Sequence, residues 1–245
     1  MHFVQGLPKG IYVGQTKVLY STTVKADQPS LDGFNLALHV GDMPARVHAH
    51  RMALLRDLNA YGVYKLSWLN QTHSTTCYCI NDAVYFQPLS GDGLITQRKG
   101  HAVMIMTADC LPIALGDENG LEVAVLHAGW RGLADGIIEK TIENMSNPPT
   151  WAWLGACINQ PCFEVGAEVK TIFCERYAVE FAFQHSNTEG KYFADLYAIA
   201  RFILTQFQVQ RVLGADACTY AQPQDYFSYR RDPKTGRMAT FAFLN

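Results

Sequence analysis

Three side chains that can bind a metal ion or act as a nucleophile or base follow short apolar runs of the chain: His73, Cys110 and His127. Each run predicts a β-strand, and a polar residue at the end of a buried strand lies at the rim of a sheet, where sites form. If the three strands are neighbours, these side chains converge on one point. Two imidazoles and one thiolate are ligands that zinc favours, and three protein ligands leave a further position open for water or substrate.

The intervals between the three residues match no short zinc-binding signature, so two other interpretations stand beside the metal. One is a metal-free pair in which Cys110 is the nucleophile and His127 is the base. The other is a purely structural role, which is the commoner fate of an isolated histidine. Asp109, next to Cys110, can serve as an acid or base, or it can form a hydrogen bond within a turn.

The segment after His127 predicts an anion site. Ala128-Gly129-Trp130-Arg131-Gly132 reads as a tight turn that opens a helix. Glycines let the backbone approach a ligand, and the free N–H groups at a helix start favour phosphate or carboxylate. Arg131 adds positive charge at this turn. The alternative is an ordinary glycine-rich connection between a strand and a helix.

Other arginines are candidates for the same role. Arg51 lies on the first predicted helix beside His48 and His50, and it reaches a site only if that helix borders it. Arg230 and Arg231 precede the predicted C-terminal turn, and because adjacent residues of an extended chain point to opposite faces, at most one of them can point inward.

Four segments have the hydrophobic period of a helix. The first is predicted to use Asp42 as its N-cap and to carry Pro44 in its first turn, with Val47, Leu54 and Leu58 on one face. The other three stripes cover residues 133–145, 165–177 and 193–207.

Short apolar runs between these segments predict the strands. They cover residues 17–20, 64–69, 83–86, 102–106, 122–126, 151–154, 226–229 and 238–243. The last two flank the turn sequence Asp232-Pro233-Lys234-Thr235-Gly236, which predicts a hairpin. Strict βαβ alternation is missing, so we expect a mixed-sheet sandwich of the α/β (α+β) class, flanked by helices.

Composition favours one domain over residues 1–245 and argues against several classes of protein. Hydrophobic residues make up 49% and charged residues 17% of the chain, which is enough for a large core. The net charge of −2, with no long basic stretch, argues against nucleic-acid binding. No apolar run reaches the about 18 residues of a membrane span. No secretory signal is recognisable, and seven cysteines, an odd number, predict reduced thiols in the cytoplasm.

Several motifs occur in a fixed order along the chain. They are Asn70-Gln71-Thr72-His73, Asp92-Gly93-Leu94-Ile95-Thr96, Thr107-Ala108-Asp109-Cys110-Leu111-Pro112, His127-Ala128-Gly129-Trp130-Arg131-Gly132, Ser228-Tyr229-Arg230-Arg231-Asp232 and Thr235-Gly236-Arg237. Two more, Phe34-Asn35-Leu36 and His39-Val40-Gly41-Asp42, lie near the N-terminus. Together they resemble the YfiH family, also called the laccase-domain or multicopper polyphenol oxidoreductase family, over nearly the whole chain.

The resemblance implies a fold similar to that of Cys-His toxin deamidases and a zinc site made of His73, Cys110 and His127. It also implies small-molecule substrates: phosphorolysis of purine nucleosides (adenosine, inosine and methylthioadenosine), with deamination of adenosine in the same site. We expect Asp109 to carry the proton. The expected phosphate and substrate ligands, in a monomer or homodimer, are Arg51, Arg131, Asn35 and Arg230.

Two alternatives to this function remain open. One is a metal-free Cys-His amidase or deamidase. The other is a non-catalytic cell-wall factor, since bacterial members of the family are associated with keeping wrong amino acids out of peptidoglycan precursors.

The chain departs from the family pattern in two segments, Gly155-Ala156-Cys157-Ile158-Asn159-Gln160 and Ser21-Thr22-Thr23-Val24-Lys25-Ala26. These departures concern substrate choice and leave the three metal ligands in place. Four-copper oxidation is rejected for a monomer by counting residues, because it needs about ten histidines, mostly in His-x-His pairs. This chain has eight histidines and one such pair, His48-Ala49-His50. At the His-Cys-His site, copper is the second choice after zinc.

Overall fold

A computed structural model describes residues 2–19, 31–80 and 87–245 of the chain. The expected strand at residues 83–86 and the departure at residues 21–26 lie outside these ranges. The strands are β1 (His2–Phe3), β2 (Ile11–Gln15), β3 (Lys65–Ser67), β4 (Leu69–Asn70), β5 (Cys77–Ile80), β6 (Leu89–Ser90), β7 (Gly93–Thr96), β8 (His101–Thr107), β9 (Leu111–Gly116), β10 (Val123–Ala128), β11 (Trp151–Leu154), β12 (Glu164–Gly166), β13 (Phe183–His185), β14 (Lys191–Ala194), β15 (Arg211–Gly214) and β16 (Met238–Leu244). The helices are α1 (Pro44–Asn59), α2 (Trp130–Asp135), α3 (Ile137–Asn144), α4 (Ala167–Arg176) and α5 (Leu196–Gln206).

Two large mixed sheets form the centre of the molecule. One has five strands in the order β1-β2-β16-β8-β3, and the other has six in the order β15-β11-β9-β10-β7-β5. The inner strands of both sheets pair antiparallel, whereas β3, β5 and β15 join their sheets as parallel edge strands. Smaller sheets, β12-β14-β13 and β4-β6, lie beside them. The predicted mixed-sheet α/β sandwich is confirmed.

Apolar side chains form layers on both sides of each large sheet. One cluster includes Val103 and Ile105 of β8 and Ala114 and Val125 of the six-stranded sheet, and so lies between the two sheets. A second joins α1 to the outer face of the five-stranded sheet, and a third joins the other helices to the six-stranded sheet. Strands β8, β9, β10 and β16 are buried along their whole length, which explains their continuous apolar sequences.

The predicted helices are present, with several corrections. Val165 and Phe193, the first residues of two predicted helical stripes, lie in β12 and β14. Helices α4 and α5 therefore begin later, at Ala167 and Leu196.

The prediction that Asp42 is the N-cap of α1 is wrong. Met43 holds that position, and its side chain makes no capping hydrogen bond. The Asp42 carboxylate instead accepts hydrogen bonds from Asn35 Nδ2 at 2.7 Å and Arg46 Nε at 2.9 Å, in a buried ion pair. The stripe over residues 133–145 is split into α2 and α3 by Gly136, whose φ of 98° ends a right-handed helix.

Several strand predictions are wrong. Strand β2 ends at Gln15, and residues 17–19 of the strand expected at 17–20 lie outside any strand. Residues 226–229 belong to a loop and not to a strand. The expected C-terminal hairpin therefore does not form. Strand β16 pairs with β2 on one edge and β8 on the other, so distant strands occupy both of its edges. Residues 226–237 are left as a loop, and that loop supplies part of the functional site.

Candidate metal centre

The structure brings His73, Cys110 and His127 together. Their ligand atoms all lie within 4.8 Å of one another, and Cys110 Sγ is 4.0 Å from His73 Nε2. In the part of the chain that the structure describes, this is the one such group of three His, Cys, Asp or Glu residues. His73 is exposed, Cys110 is half-buried and His127 is buried, so the group spans from solvent into the core.

Each of the three side chains is positioned by a different part of the fold. His127 lies on β10, opposite Pro112 of the antiparallel neighbour β9, and Cys110 directly precedes β9. Cys110 also lies in the connection from β8 of the five-stranded sheet to β9 of the six-stranded sheet. His73 follows β4. Of the three strands predicted to precede these residues, β3 and β8 are neighbours in the five-stranded sheet, but β10 belongs to the six-stranded sheet. The expectation of three neighbouring strands is therefore wrong for β10.

Asp92 holds both histidines in place. This carboxylate is fully buried between β6 and β7, and its Oδ1 accepts hydrogen bonds from His127 Nδ1 at 2.7 Å and the His73 backbone N–H at 3.1 Å. Its Oδ2 accepts from the backbone N–H and hydroxyl groups of Thr72 and Ser74, at 2.7 to 3.2 Å. Because His127 Nδ1 is a donor to Asp92, Nε2 carries the lone pair that a metal ion requires.

Two residues of the site have backbone conformations that are uncommon for side chains other than glycine. His73 has φ 59° and Asp109 has φ 98°. The three N–H groups that bind Asp92 stabilise the turn at His73. At Asp109, the carboxylate accepts hydrogen bonds from Thr219 Oγ1 at 2.6 Å and from the Arg230 backbone N–H at 2.7 Å. Such strain is concentrated at functional sites, where the surroundings hold it.

Gly129 permits the close packing around the sulfur. A Cβ atom at this position would lie 2.9 Å from Cys110 Sγ and 3.1 Å from His73 Cδ2. No other residue fits there without displacing one of these side chains.

In the metal-free protein, the electrostatics favour a thiolate beside a charged imidazole, and a metal ion would replace the proton on His127 Nε2. Burial alone would raise the pKa of Cys110, but the charge of His127 and hydrogen bonds from both histidines outweigh it and lower the pKa to about 6. Burial would likewise lower the pKa of His127, yet Cys110 and Asp92 raise it to about 9. The hydrogen bonds from His127 and Ser74 hold the pKa of Asp92 well below its usual range, against the effect of burial.

The donor set fits a metal ion. A thiolate and two imidazole nitrogens are ligands for zinc, with metal–ligand bonds of about 2.0 to 2.3 Å. One ion with such bonds can bridge ligand atoms that lie within 4.8 Å of one another. The Asp92–His127 hydrogen bond is the outer-shell contact that metal-bound histidines usually make. The His73, Cys110 and His127 side chains can therefore hold one metal ion.

The three side chains line a cavity of about 580 Å³, a size that suits a small organic molecule. Part of its wall is apolar and aromatic, formed by Trp130, Ile158, Phe163 and Leu196. The rest is polar. Its polar residues include His39, Gln71, Asp109, Tyr229, Arg131, Arg230 and Arg237.

The predicted substrate ligands differ in position. Arg131 and Arg230 line the cavity, where Arg131 stacks on Trp130 and Arg230 Nη1 donates to the Glu164 carbonyl at 3.2 Å. Arg51 does not line it, but its Nη2 lies 3.7 Å from the sulfur of Met106, which does. Asn35 is fully buried outside the cavity wall, and its amide is used in hydrogen bonds within the protein.

The chain is similar to known proteins over almost its whole length. Residues 20–245 match the family model described as multi-copper polyphenol oxidoreductase laccase. The chain belongs to this family. It is 37% identical to the purine nucleoside phosphorylase YfiH of Shigella flexneri over 97% of this chain and 96% of that protein. The Escherichia coli protein of the same name is 39% identical over 88% of each chain.

Solved structures of the family share the fold. The Neisseria meningitidis protein NMB0706 superposes with a TM-score of 0.90 at 35% identity, over 100% of this chain and 98% of the other. YlmD of Geobacillus stearothermophilus gives a TM-score of 0.84 at 25% identity, over 97% and 93%. The predicted membership of the YfiH family is thus confirmed.

Four residues for which the sequence predicted no role lie in or directly behind the site: His39, Gln71, Asp92 and Arg237. All four lie in the motifs on which the family resemblance rests, and their membership of these motifs was the one sign in the sequence that they belong to the site. Gln71, for example, exchanges two hydrogen bonds of 2.7 Å with the backbone of Met106 and fixes the loop before His73 to β8.

The helices of residues 2–19, 31–80 and 87–245 include none with the length and apolarity that crossing a membrane requires.

Proposed function

We propose that this protein is a zinc-dependent purine nucleoside phosphorylase that acts in the cavity beside His73, Cys110 and His127. The observation that carries the proposal is a three-ligand metal site on the wall of a cavity that also presents arginine side chains. The curated relatives named purine nucleoside phosphorylase, at 37% and 39% identity, support it. The proposed substrates are adenosine, inosine and methylthioadenosine.

In phosphorolysis, an oxygen of inorganic phosphate bonds to C1′ of the ribose while the C1′–N9 bond breaks. The electron pair of that bond leaves with the purine, which takes up a proton, and the products are the free base and ribose 1-phosphate. Zinc, when bound, supplies a Lewis acid next to the reacting groups. The residues of the chain must bind the phosphate, hold the base and deliver the proton.

Asp109 is the proposed proton carrier. Its carboxyl group lines the cavity next to Cys110, and the bonds from Thr219 Oγ1 and the Arg230 backbone fix its orientation. The aromatic wall at Trp130 and Phe163 suits the apolar faces of a purine. Arg131 and Arg230, which are exposed at the cavity, are the proposed substrate ligands on that wall.

Deamination of adenosine belongs to the same proposal. Adenosine and water would give inosine and ammonia in the same cavity, because the purine would lie beside the same metal ion. We further propose that the protein works in the reducing cytoplasm, since all seven cysteines are free thiols. A monomer or homodimer remains the prediction for its assembly.

The test is chromatography of adenosine incubated with the zinc-loaded protein, with and without phosphate. We expect adenine and ribose 1-phosphate only with phosphate, and inosine in either case. Cys110→Ala should abolish both activities, whereas Cys79→Ala, which removes an exposed thiol elsewhere, should change neither. Wild-type protein that forms none of these products above the Cys110→Ala background would refute the proposal.

One observation favours a second candidate, thiol catalysis without metal. Cys110, His127 and Asp92 form a chain of thiolate, imidazole and carboxylate, as in enzymes whose base is oriented by a third group. Such a site would hydrolyse amides or remove the amide nitrogen of a side chain. Metal analysis separates the candidates: full activity in zinc-free protein, lost on alkylation of Cys110, would favour the thiol mechanism.

A further inference from the structure

Two arginines and one histidine lie close together at the polar part of the cavity. Arg237 and His39 line it, and Arg51 lies behind Met106, which also lines it. Burial and the positive charges of Arg237 and Arg51 together lower the pKa of His39, so both guanidinium groups act on one imidazole. The charges of Cys110 and Asp109 act on Arg237 in turn, which puts this cluster beside the metal ligands.

One buried segment holds both arginines. The Arg237 backbone N–H donates to Asn35 Oδ1 at 2.9 Å, and Leu36 N–H donates to the Arg237 carbonyl at 3.3 Å. The Leu36 carbonyl accepts a hydrogen bond from Arg51 Nε at 2.9 Å. Asn35 is therefore part of the scaffold for two cations, a role that fits its complete burial.

Neutral groups anchor both guanidinium groups. Arg237 Nη1 donates to the carbonyls of Thr235 and Gly236, at 2.8 and 3.0 Å, and Arg51 stacks on Trp68 at 4.1 Å. Neither arginine forms an ion pair with a carboxylate among the described residues.

Arg46 provides the contrast. It is held by the same N-terminal region, but its guanidinium group is neutralised by Asp42. A half-buried guanidinium group that is fixed in place and keeps its full charge is prepared to bind an anion.

We propose that Arg237 and His39, with Arg51 behind them, bind the inorganic phosphate that attacks the nucleoside. This assignment rests on the proposed phosphorolysis and makes it specific. Arg131 and Arg230 are less suited to the task, because both are exposed and water screens their charge. Arg237 lies in a drier setting, where a charge-assisted hydrogen bond is stronger.

The experiment is calorimetric titration of inorganic phosphate into the zinc-loaded protein, without nucleoside. Arg237→Gln should weaken phosphate binding about tenfold or more, the size expected for losing a charge-assisted contact. Arg201→Gln is the matched control. Arg201 also donates to two backbone carbonyls, those of Val212 and Gly214, but does not line the cavity. Its substitution should leave phosphate binding unchanged.

Two further variants keep the result interpretable. Arg237→Lys retains the charge and should weaken binding less than Arg237→Gln, and it serves as the test if Arg237→Gln does not fold. Arg131→Gln should bind phosphate like the wild type. Unchanged binding in both Arg237 variants, or loss of binding in Arg131→Gln alone, would overturn the assignment.

The same titration distinguishes the assignment from the proposed function. Loss of phosphate binding in Arg237→Gln supports the subsite even if the wild type cleaves no nucleoside. A separate titration with adenosine 5′-monophosphate tests another source of phosphate. A protein that binds this nucleotide through Arg237 but does not bind inorganic phosphate would contradict the assignment.

Discussion

Two carboxylates flank the metal ligands, and the protein uses them in opposite ways. Asp92 is completely buried, and it accepts hydrogen bonds from the residue 72–74 loop and from His127. Asp109 faces the cavity and accepts bonds from Thr219 and Arg230, which belong to C-terminal loops. We therefore expect a division of roles: the core side fixes the side chains that can hold a metal ion, and the loop side shapes the space for substrate.

Asp109→Asn should have the largest effect, because it should change catalysis on the substrate side and leave metal binding on the core side unchanged. Removal of the carboxyl group should lower kcat for phosphorolysis about 100-fold, the usual contribution of a positioned acid or base. The zinc dissociation constant should stay unchanged, because Asp109 is not one of the three grouped ligand residues. Steady-state kinetics and a chelator competition titration measure these quantities. Weakened zinc binding in this variant would contradict the division.

Asp92→Asn should have the opposite profile. An amide cannot accept all the hydrogen bonds that fix both histidines, so zinc affinity should fall about 10- to 100-fold. The control is Asp117→Asn, which alters another buried carboxylate that accepts backbone N–H groups, those of Asn119, Leu121 and Glu122. It should lower the unfolding temperature and leave the zinc dissociation constant alone. Equal zinc binding in Asp92→Asn and the wild type would contradict the claim that Asp92 fixes the two histidines for metal binding.

Gly129→Ala should weaken zinc binding about fivefold, because the new methyl group must displace Cys110 or His73 at a cost of about 1 kcal/mol. Gly190→Ala is the reference: no atom lies within 4 Å of its added Cβ, so its φ of 72° should lower the unfolding temperature while zinc affinity stays unchanged. Chelator competition compares the two variants. A zinc affinity equal to that of the wild type would show that the ligands do not need this close packing.

The smallest expected effect is a shift in titration. In zinc-free protein, alkylation of Cys110 should rise with pH around a midpoint near 6, because a lowered pKa leaves the thiolate present above that value. Cys77, whose pKa is raised to about 12 by burial, should stay unmodified in the same samples. Peptide mass mapping across pH measures both. A Cys110 midpoint at the ordinary thiol value would contradict the charge pairing with His127.

Residue chemistry predicted the grouping of His73, Cys110 and His127 better than it predicted the strands. His73, Cys110 and His127 could be chosen because imidazole and thiolate groups after apolar runs are unusual. The roles of Asp92 and Arg237 could not be derived, because each depends on partners far away in the chain, such as His127 for Asp92 and Asn35 for Arg237. The wrong hairpin at residues 226–243 has a similar cause. Local turn chemistry favoured it, but β16 is paired with β2 and β8 instead.

The position of Cys110, between a strand of one large sheet and a strand of the other, links metal binding to assembly of the molecule. His127 belongs to the six-stranded sheet and His73 to the loop after β4, so an unfolded chain has no preformed ligand set. An ion that binds the three side chains of the folded protein more tightly than the unfolded chain must therefore stabilise the packed sheets. We expect that removing a bound ion weakens the packing between the two sheets before it affects either sheet alone.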